Sequence, residues 1–278
     1  MTDAFVVAMA QTAKPKRRST FISTRSDTVG DPVVLKSEIH VWLVKLSEDS
    51  PVVERAHSVL SSDERERAMQ FRSGSLRAAF VVSHGVLRIL LGGYCNRQAS
   101  DLKFGYGHQG KPFLADAEFP IHFNMSHSGE VAAYAFAVGQ ELGVDIEQHR
   151  TFPDKEKIAA RFFSTCEYSE FMRIPEQERD VAFFNCWVCK EAYIKARGGG
   201  LSIPLDSFQV SVAPRDPARL INVYANVAEA GAWTIQKFTP APEYSGAVAV
   251  RDRRRRVKVH AVRPAHEILQ LTRPASAT

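Results

Sequence analysis

"SGEVAAYAFA", residues 128–137, and "EYSGAVAV", residues 243–250, are the two segments whose reading decides the fold. Each is a small-residue strand entered through a polar loop, and the elements that precede them come in the same order. In the first half an apolar strand, "EIHVWLVKL" (38–46), is followed by the capped helix opening "LSSDERERAMQF" (60–71). Ser61 or Ser62 can cap that helix, and acids fill its first turn. A long helix, "LRAAFVVSHGVLRILLGGY" (76–94), then carries apolar residues at helical spacing and ends on a glycine pair. The turn-rich link "GYGHQGKPFL" (105–114) leads to "IHFNMSHSGEVAAYAFAVGQELGVDIEQH" (121–149). That stretch reads as a short strand, a loop holding "SHS", and a hairpin turning at Gly139-Gln140.

The second half repeats the grammar. "RFFSTCEYSEFMRI" (161–174) and "RDVAFFNCWVCKEAYIKARGGG" (179–200) are helical, "GLSIPLDSFQVSV" (200–212) leads into strands, and the segment 231–262 closes with a hairpin. The expectation is an α+β protein of two similar halves related by a pseudo-two-fold. The boundaries that follow are a flexible leader over 1–37, an N-terminal half over 38–142, a C-terminal half over 143–265 and a tail over 266–278. Clefts at such junctions are common binding sites.

Composition excludes several classes. With 45% hydrophobic and 24% charged residues over 278 positions, the chain is an ordinary globular one. No apolar run in the sequence approaches a membrane helix; "VAAYAFAV" (131–138) is strand-sized. In the leader, positive charge follows the apolar patch "AFVVAMA", the wrong order for a secretory signal. Cys186 and Cys189 match C-x-x-C, but they lie in an apolar helix without a second ligand pair, and read as packed thiols. Net charge is +5 and the pI near 9.0, which suits an acidic or phosphate-bearing partner. "RDRRRR" (251–256) reads as a charged hairpin turn, and no wide basic face with interleaved aromatics points to nucleic acid.

"GVDIEQ" (143–148) carries the chemistry. On a strand, Val144 and Ile146 point one way and Asp145 and Glu147 the other. Two carboxylates on one face are either mobile acids on a solvent-facing edge or the start of a Mg²⁺ site. Magnesium takes one or two carboxylates plus substrate phosphates. In "KEAYIKARGGGLSIPL" (190–205), Glu191 and Lys195 are four apart at a glycine-stopped helix end. The plain reading is a surface ion pair. The chemical reading makes Glu191 a third acid and Lys195 a cation for a diphosphate, with Lys190 projecting to the side.

These segments, with "FFSTCEYSEF" (162–171), "GKPFL" (110–114), "FNMSHS" (123–128) and "LSSDERERAMQFRSGSLRAAFVVSHGVLR" (60–88), stand in the order found in one family. From about residue 40 to 250 the chain resembles the 4′-phosphopantetheinyl transferases of the two-half, monomeric Sfp type. The resemblance implies transfer of the 4′-phosphopantetheine arm from coenzyme A to a serine of an apo carrier protein, releasing adenosine 3′,5′-bisphosphate. It implies that Asp145, Glu147 and Glu191 hold Mg²⁺ on the diphosphate and that Lys195 contacts the phosphates with Lys190 as helper. Lys111, Ser126 and His127 would bind the nucleotide end, His127 near the 3′-phosphate, with Arg77 as the phosphate-binding arginine of the first long helix. Glu191 would be the base, directly or through a metal-bound water, and Trp187 would be structural. A monomer in the cytoplasm, with neither nucleic acid nor membrane as partner, completes the expectation. The alternative on the same fold is a coenzyme A-binding regulatory or scaffold protein without catalysis.

Overall fold

The computed structural model describes residues 34–115, 120–151 and 153–271. The leader before residue 34 and the tail after 271 lie outside the described residues. In chain order the elements are β1 (Glu38–Lys45), α1 (Ser50–Ser58), α2 (Ser62–Met69), α3 (Gly74–Cys95), β2 (Phe104–Tyr106), β3 (Pro112–Leu114), β4 (Ile121–Ser128), β5 (Val131–Val138) and β6 (Leu142–Gln148). Then follow α4 (Lys155–Phe162), α5 (Thr165–Arg173), α6 (Glu176–Arg197), β7 (Phe208–Val210), β8 (Leu220–Val223), β9 (Thr234–Phe238), β10 (Tyr244–Val250), β11 (Arg256–Val259), β12 (Arg263–Pro264) and α7 (Ala265–Leu269).

One topology occurs twice. A strand (β1 or β6) leads to a 22-residue helix (α3 or α6), then to an antiparallel hairpin whose second strand returns to the centre. The resulting orders are β1-β5-β4 and β6-β10-β9. β5 and β10, the two segments quoted first above, are therefore equivalent, as two halves related by a pseudo-two-fold require.

The period-2 pattern assigns the layers. Even positions of β1 and β5 (Trp42, Val44, Tyr134, Phe136) pack on α3, while Ile39, Val41, Ala133 and Ala135 meet Val144, Ile146 and Val248 of the other sheet. Odd positions of β9 and β10 (Ile235, Ala247, Ala249) pack under α6. The order of layers is thus helix, sheet, sheet, helix. α3 is long and apolar enough by itself to cross a membrane, contrary to the reading of the bare sequence. Its apolar face is spent on the first sheet, and Arg88 at its middle is buried.

Three other readings change. β4 runs unbroken through Ser128 and forms its hairpin with β5, so "SHS" is strand rather than loop. At 139–141 the chain passes from one sheet to the other instead of turning a hairpin, because β6 pairs with β10. "RDRRRR" likewise crosses between sheets: β11 lies parallel to β1, and Arg255 donates to the carbonyls of Leu35 (3.2 Å) and Val138 (2.6 Å). Residues 256–269, assigned above mostly to the C-terminal half, thus build onto the first sheet and onto α3. The fold also starts before residue 37, since Leu35 is fully buried.

Glu64 fixes α2 to α3. It closes a capping box with Ser61, and its Oε2 accepts from Arg88 Nε at 2.6 Å. Burial alone would raise its pKa, but His84, the Ser61 backbone N–H and Arg88 together bring it down to about 2. A folded pKa below the unfolded one contributes stability that is full above the unfolded value and lost as pH falls through the folded one. Between about pH 4.5 and pH 2 the wild-type protein should therefore lose on the order of 2–3 kcal/mol more stability than Glu64→Gln. Denaturant melts of both proteins across that window check the difference.

Candidate active site

Gly143 lets β6 and α6 touch. A Cβ at this position would lie 2.2 Å from the Ala192 carbonyl oxygen and 2.4 Å from the Ala196 nitrogen. With the helix this close, Lys195 Nζ reaches Asp145 Oδ1 at 2.6 Å, Ser126 Oγ at 3.1 Å and the Val144 carbonyl at 3.3 Å. α6 ends where the glycines were expected to stop it, on Gly198 in the left-handed conformation.

β4 forms the other wall. Asn124, Ser126 and Ser128 share one strand face and stitch the outer edge of β6 with side chains. The Val144 amide donates to Asn124 Oδ1 (2.9 Å) and the Gln148 amide to Ser128 Oγ (3.1 Å). The Ser126 hydroxyl donates to Asp145 Oδ1 (2.8 Å) and that of Ser128 to Glu147 Oε2 (2.9 Å). Reading "SHS" as a loop concealed Asn124 and Ser128; the alternation of polar positions 124, 126 and 128 was the available signal.

The carboxylates are short of positive charge. Asp145 is only 4% exposed, so the mobile-acid reading fails, and its buried Oδ2 has no hydrogen-bond partner among the described residues. Burial first and the charge of Asp145 second push Glu147 and Glu191 each up to about 7. Burial pulls the Lys195 ammonium down, but Asp145 and Glu191 outweigh it and hold its pKa above the ordinary lysine value. Lys195 pairs with Asp145 rather than with Glu191, so the surface ion pair along the helix does not form. Among the described residues, no three His, Cys, Asp or Glu side chains have closed into a metal-holding group. Lys195 occupies the charge of Asp145 in their place.

The remaining candidates separate. Lys111 borders the same helix end, donating to Glu141 (3.3 Å) and to the carbonyls of Leu142 (3.2 Å) and Ala196 (3.5 Å). It lines a cleft of about 490 Å³ with His108, Phe113, His122 and Arg197. His127 is exposed on the α3-facing side of β4. Two placements correct the sequence reading. Lys190 is fully buried and donates to Glu167 Oε2 (2.7 Å) and to the carbonyls of Leu205 (2.8 Å) and Phe208 (2.9 Å), which uses its three protons inside the core. Arg77 donates to the Phe71 carbonyl at 2.9 Å and lines a groove with Glu54, His57 and Arg65, away from the carboxylates. Trp187 is core, stacked on Phe183, and burial raises the thiol pKa of both Cys186 and Cys189.

The 4′-phosphopantetheinyl transferase superfamily matches residues 141–249, and the N-terminal region of a 4′-phosphopantetheinyl transferase matches residues 48–138. HetI, a 4′-phosphopantetheinyl transferase of Nostoc sp., is 35% identical over 219 residues, covering 78% of this chain and 89% of its own. The chain belongs to the 4′-phosphopantetheinyl transferase superfamily. Sfp of Bacillus subtilis is 36% identical over 56% of this chain and 68% of its own length. The transferase gsp of Aneurinibacillus migulanus is 38% identical over 40% and 44%. The two family matches of this transferase meet between residues 138 and 141, where the chain leaves one sheet for the other.

Proposed function

We propose that the cleft between β4, β6 and α6 transfers 4′-phosphopantetheine from coenzyme A to a serine hydroxyl of an apo carrier protein, releasing adenosine 3′,5′-bisphosphate. The observation that carries this reading is the buried Asp145 Oδ2, which has no hydrogen-bond partner among the described residues and stands beside Glu147 and Glu191, whose pKa values burial and the charge of Asp145 raise. Three oxygen donors with too little counter-charge fit Mg²⁺, and Asp145, Glu147 and Glu191 are the residues that would hold it. When bound, the ion neutralises charge on the diphosphate.

The chain's own groups do the rest. Lys195 is anchored by Asp145, Ser126 and the Val144 carbonyl, so its ammonium is fixed before substrate arrives, and a diphosphate oxygen exchanges for one of these acceptors. Glu191 has no hydrogen bond or ion pair among the described residues, and a carboxylate raised towards neutrality is suited to accept the serine proton. Ser126 faces this cleft, Lys111 lies beside the end of α6 and His127 projects from the opposite face of β4, and these three are the groups we assign to the nucleotide end. Both halves come from one chain, which favours a monomer, and the net charge of +5 favours an acidic carrier surface. A cytoplasmic setting, with neither nucleic acid nor membrane engaged, fits a site built for coenzyme A and a carrier protein.

Incubating apo carrier proteins with coenzyme A and Mg²⁺ should add one phosphopantetheine, read by intact-protein mass spectrometry. Chelating divalent metal should abolish the addition and readmitting Mg²⁺ should restore it. Undiminished transfer in excess chelator would remove the metal from the reading.

A further inference from the structure

The polar face of β6 does not stop at Glu147. His149 comes two residues later, and its contacts with α6 and β10 put it on the same face as Asp145 and Glu147. Its amide donates to the Glu243 carbonyl, so the pairing with β10 continues one residue past the end of β6. The ring lies on Phe184 of α6, with 5.1 Å between centroids and 15° between planes. Nε2 stands 2.7 Å from Ser245 Oγ, and Ser245 is the residue of β10 directly opposite Glu147.

Ser245 sets the tautomer of that ring. Its hydroxyl has a single hydrogen, which it donates to Asn185 Oδ1 at 2.7 Å. Nε2 of His149 therefore carries a hydrogen and donates to Ser245 Oγ, and Nδ1 is left as a bare acceptor. Among the described residues Nδ1 has no hydrogen bond, and it is not sealed from solvent, so a solute can reach it. Such a nitrogen selects an N–H or O–H donor; a phosphate or carbonyl oxygen offers it no hydrogen.

The order of groups along the site indicates which solute that is. β6 and α6 lie side by side and run in opposite directions. Lys111 holds the carbonyls of Leu142 and Ala196, Lys195 reaches Asp145, and Phe184 stands at His149. Coenzyme A has its parts in line: nucleotide, diphosphate, and an arm with two amides. With the diphosphate on Lys195 and the nucleotide end on the side of Lys111, the arm is directed along β6 towards His149. From Asp145 to His149 the strand covers roughly 13 Å, at about 3.3 Å per residue. An extended arm spans that distance with its amides.

We infer that His149 is a contact for the pantetheine arm of coenzyme A, its Nδ1 accepting an amide N–H, with Ser245 and Asn185 as the positioning residues that fix the ring. This rests on the transferase reading above.

The test compares coenzyme A with adenosine 3′-phosphate 5′-diphosphate, which keeps the nucleotide and the diphosphate and lacks the arm. The affinity of each is measured by calorimetry with Mg²⁺ present. His149→Phe keeps a ring on Phe184 and removes both nitrogens. His149→Gln places an amide near Nε2 and leaves nothing at Nδ1, whereas His149→Asn keeps an acceptor near Nδ1 and gives up Ser245. The affinity ratio of coenzyme A over the truncated ligand should fall about fivefold in His149→Phe and His149→Gln, as for loss of one hydrogen bond, and less in His149→Asn. Ser245→Ala frees Nε2 and lets the ring turn and change tautomer, so the ratio should fall there too. Wild-type ratios in both His149→Phe and His149→Gln, even with both affinities reduced together, would overturn the assignment. So would a wild-type protein that binds the two ligands equally. A wild-type ratio in Ser245→Ala would take Ser245 and Asn185 out of the assignment. If the protein binds coenzyme A but modifies no carrier protein, the transferase reading falls, and the affinity ratios still decide His149.

Discussion

Asp145→Ala is expected to reduce carrier-protein modification by roughly 10³-fold at saturating Mg²⁺, with the protein still folded. Asp145 has two jobs in the cleft. Its Oδ1 anchors Lys195 at 2.6 Å and receives the Ser126 hydroxyl, and its buried Oδ2 would hold the proposed cation. Alanine removes both, leaving the diphosphate less neutralised and the ammonium of Lys195 free to swing between Ser126, the Val144 carbonyl and solvent. The same change removes one of the charges that raise Glu147 and Glu191. Relief of that repulsion offsets the lost hydrogen bonds, so the melting temperature should move by only a few degrees. The measurement is a single-turnover transfer rate beside a thermal melt. Normal turnover by a folded Asp145→Ala protein would sink the assignment of the three carboxylates.

How much of this was legible depended on whether a residue's role is set by its neighbours in sequence or across the fold. Alternation along "GVDIEQ" put Val144 and Ile146 against Asp145 and Glu147, because strand geometry has a fixed period. The glycines after Lys195 stopped α6, since the left-handed residue at position 198 favours glycine. The duplication, too, was visible in two short runs, and the equivalence of β5 and β10 needed only the order of elements. By contrast, the passage from β5 to β6 looked like a hairpin because a glycine-containing turn between apolar runs is the same in both cases. Only the partner strand distinguishes them, and β10 lies about a hundred residues later. Gly143 gave no signal of its own, although its missing side chain lets Lys195 reach Asp145. Arg77 was misplaced for a related reason: helix position fixes the face a side chain leaves from, not which carbonyl its long end finds.

Lys190 shows the same limit most sharply, and it yields the second large effect. "KEAYIK" presents two lysines and an acid within six residues, and nothing local tells the lysines apart. The structure gives them opposite roles. Lys195 lies in the cleft with its side chain 29% exposed, whereas Lys190 and Glu167 are both fully buried and 2.7 Å apart. Glu167 is the third residue of the helix that Ser164 caps, and its carboxylate also accepts from the Ser164 and Val210 amides. "FFSTCE" and "KEAYIK" thus meet as one buried network that ties α5, α6 and β7 together. Burial already holds the Glu167 carboxyl above its ordinary range despite Lys190. Lys190→Met should therefore cost about 3–5 kcal/mol, because it strands Glu167 and removes a donor from two backbone carbonyls. The melting temperature should drop by roughly 6–20 degrees, at about 2–4 degrees per kcal/mol for a chain of this size. Coenzyme A affinity of the protein that remains folded at low temperature should stay near wild type. Lys195→Met should do the reverse, weakening coenzyme A binding and transfer at a nearly unchanged melting temperature, since its partner in binding and in the transition state is the diphosphate. If instead Lys190→Met melts normally and loses coenzyme A, the buried pair is not structural and Lys190 belongs with the phosphates after all.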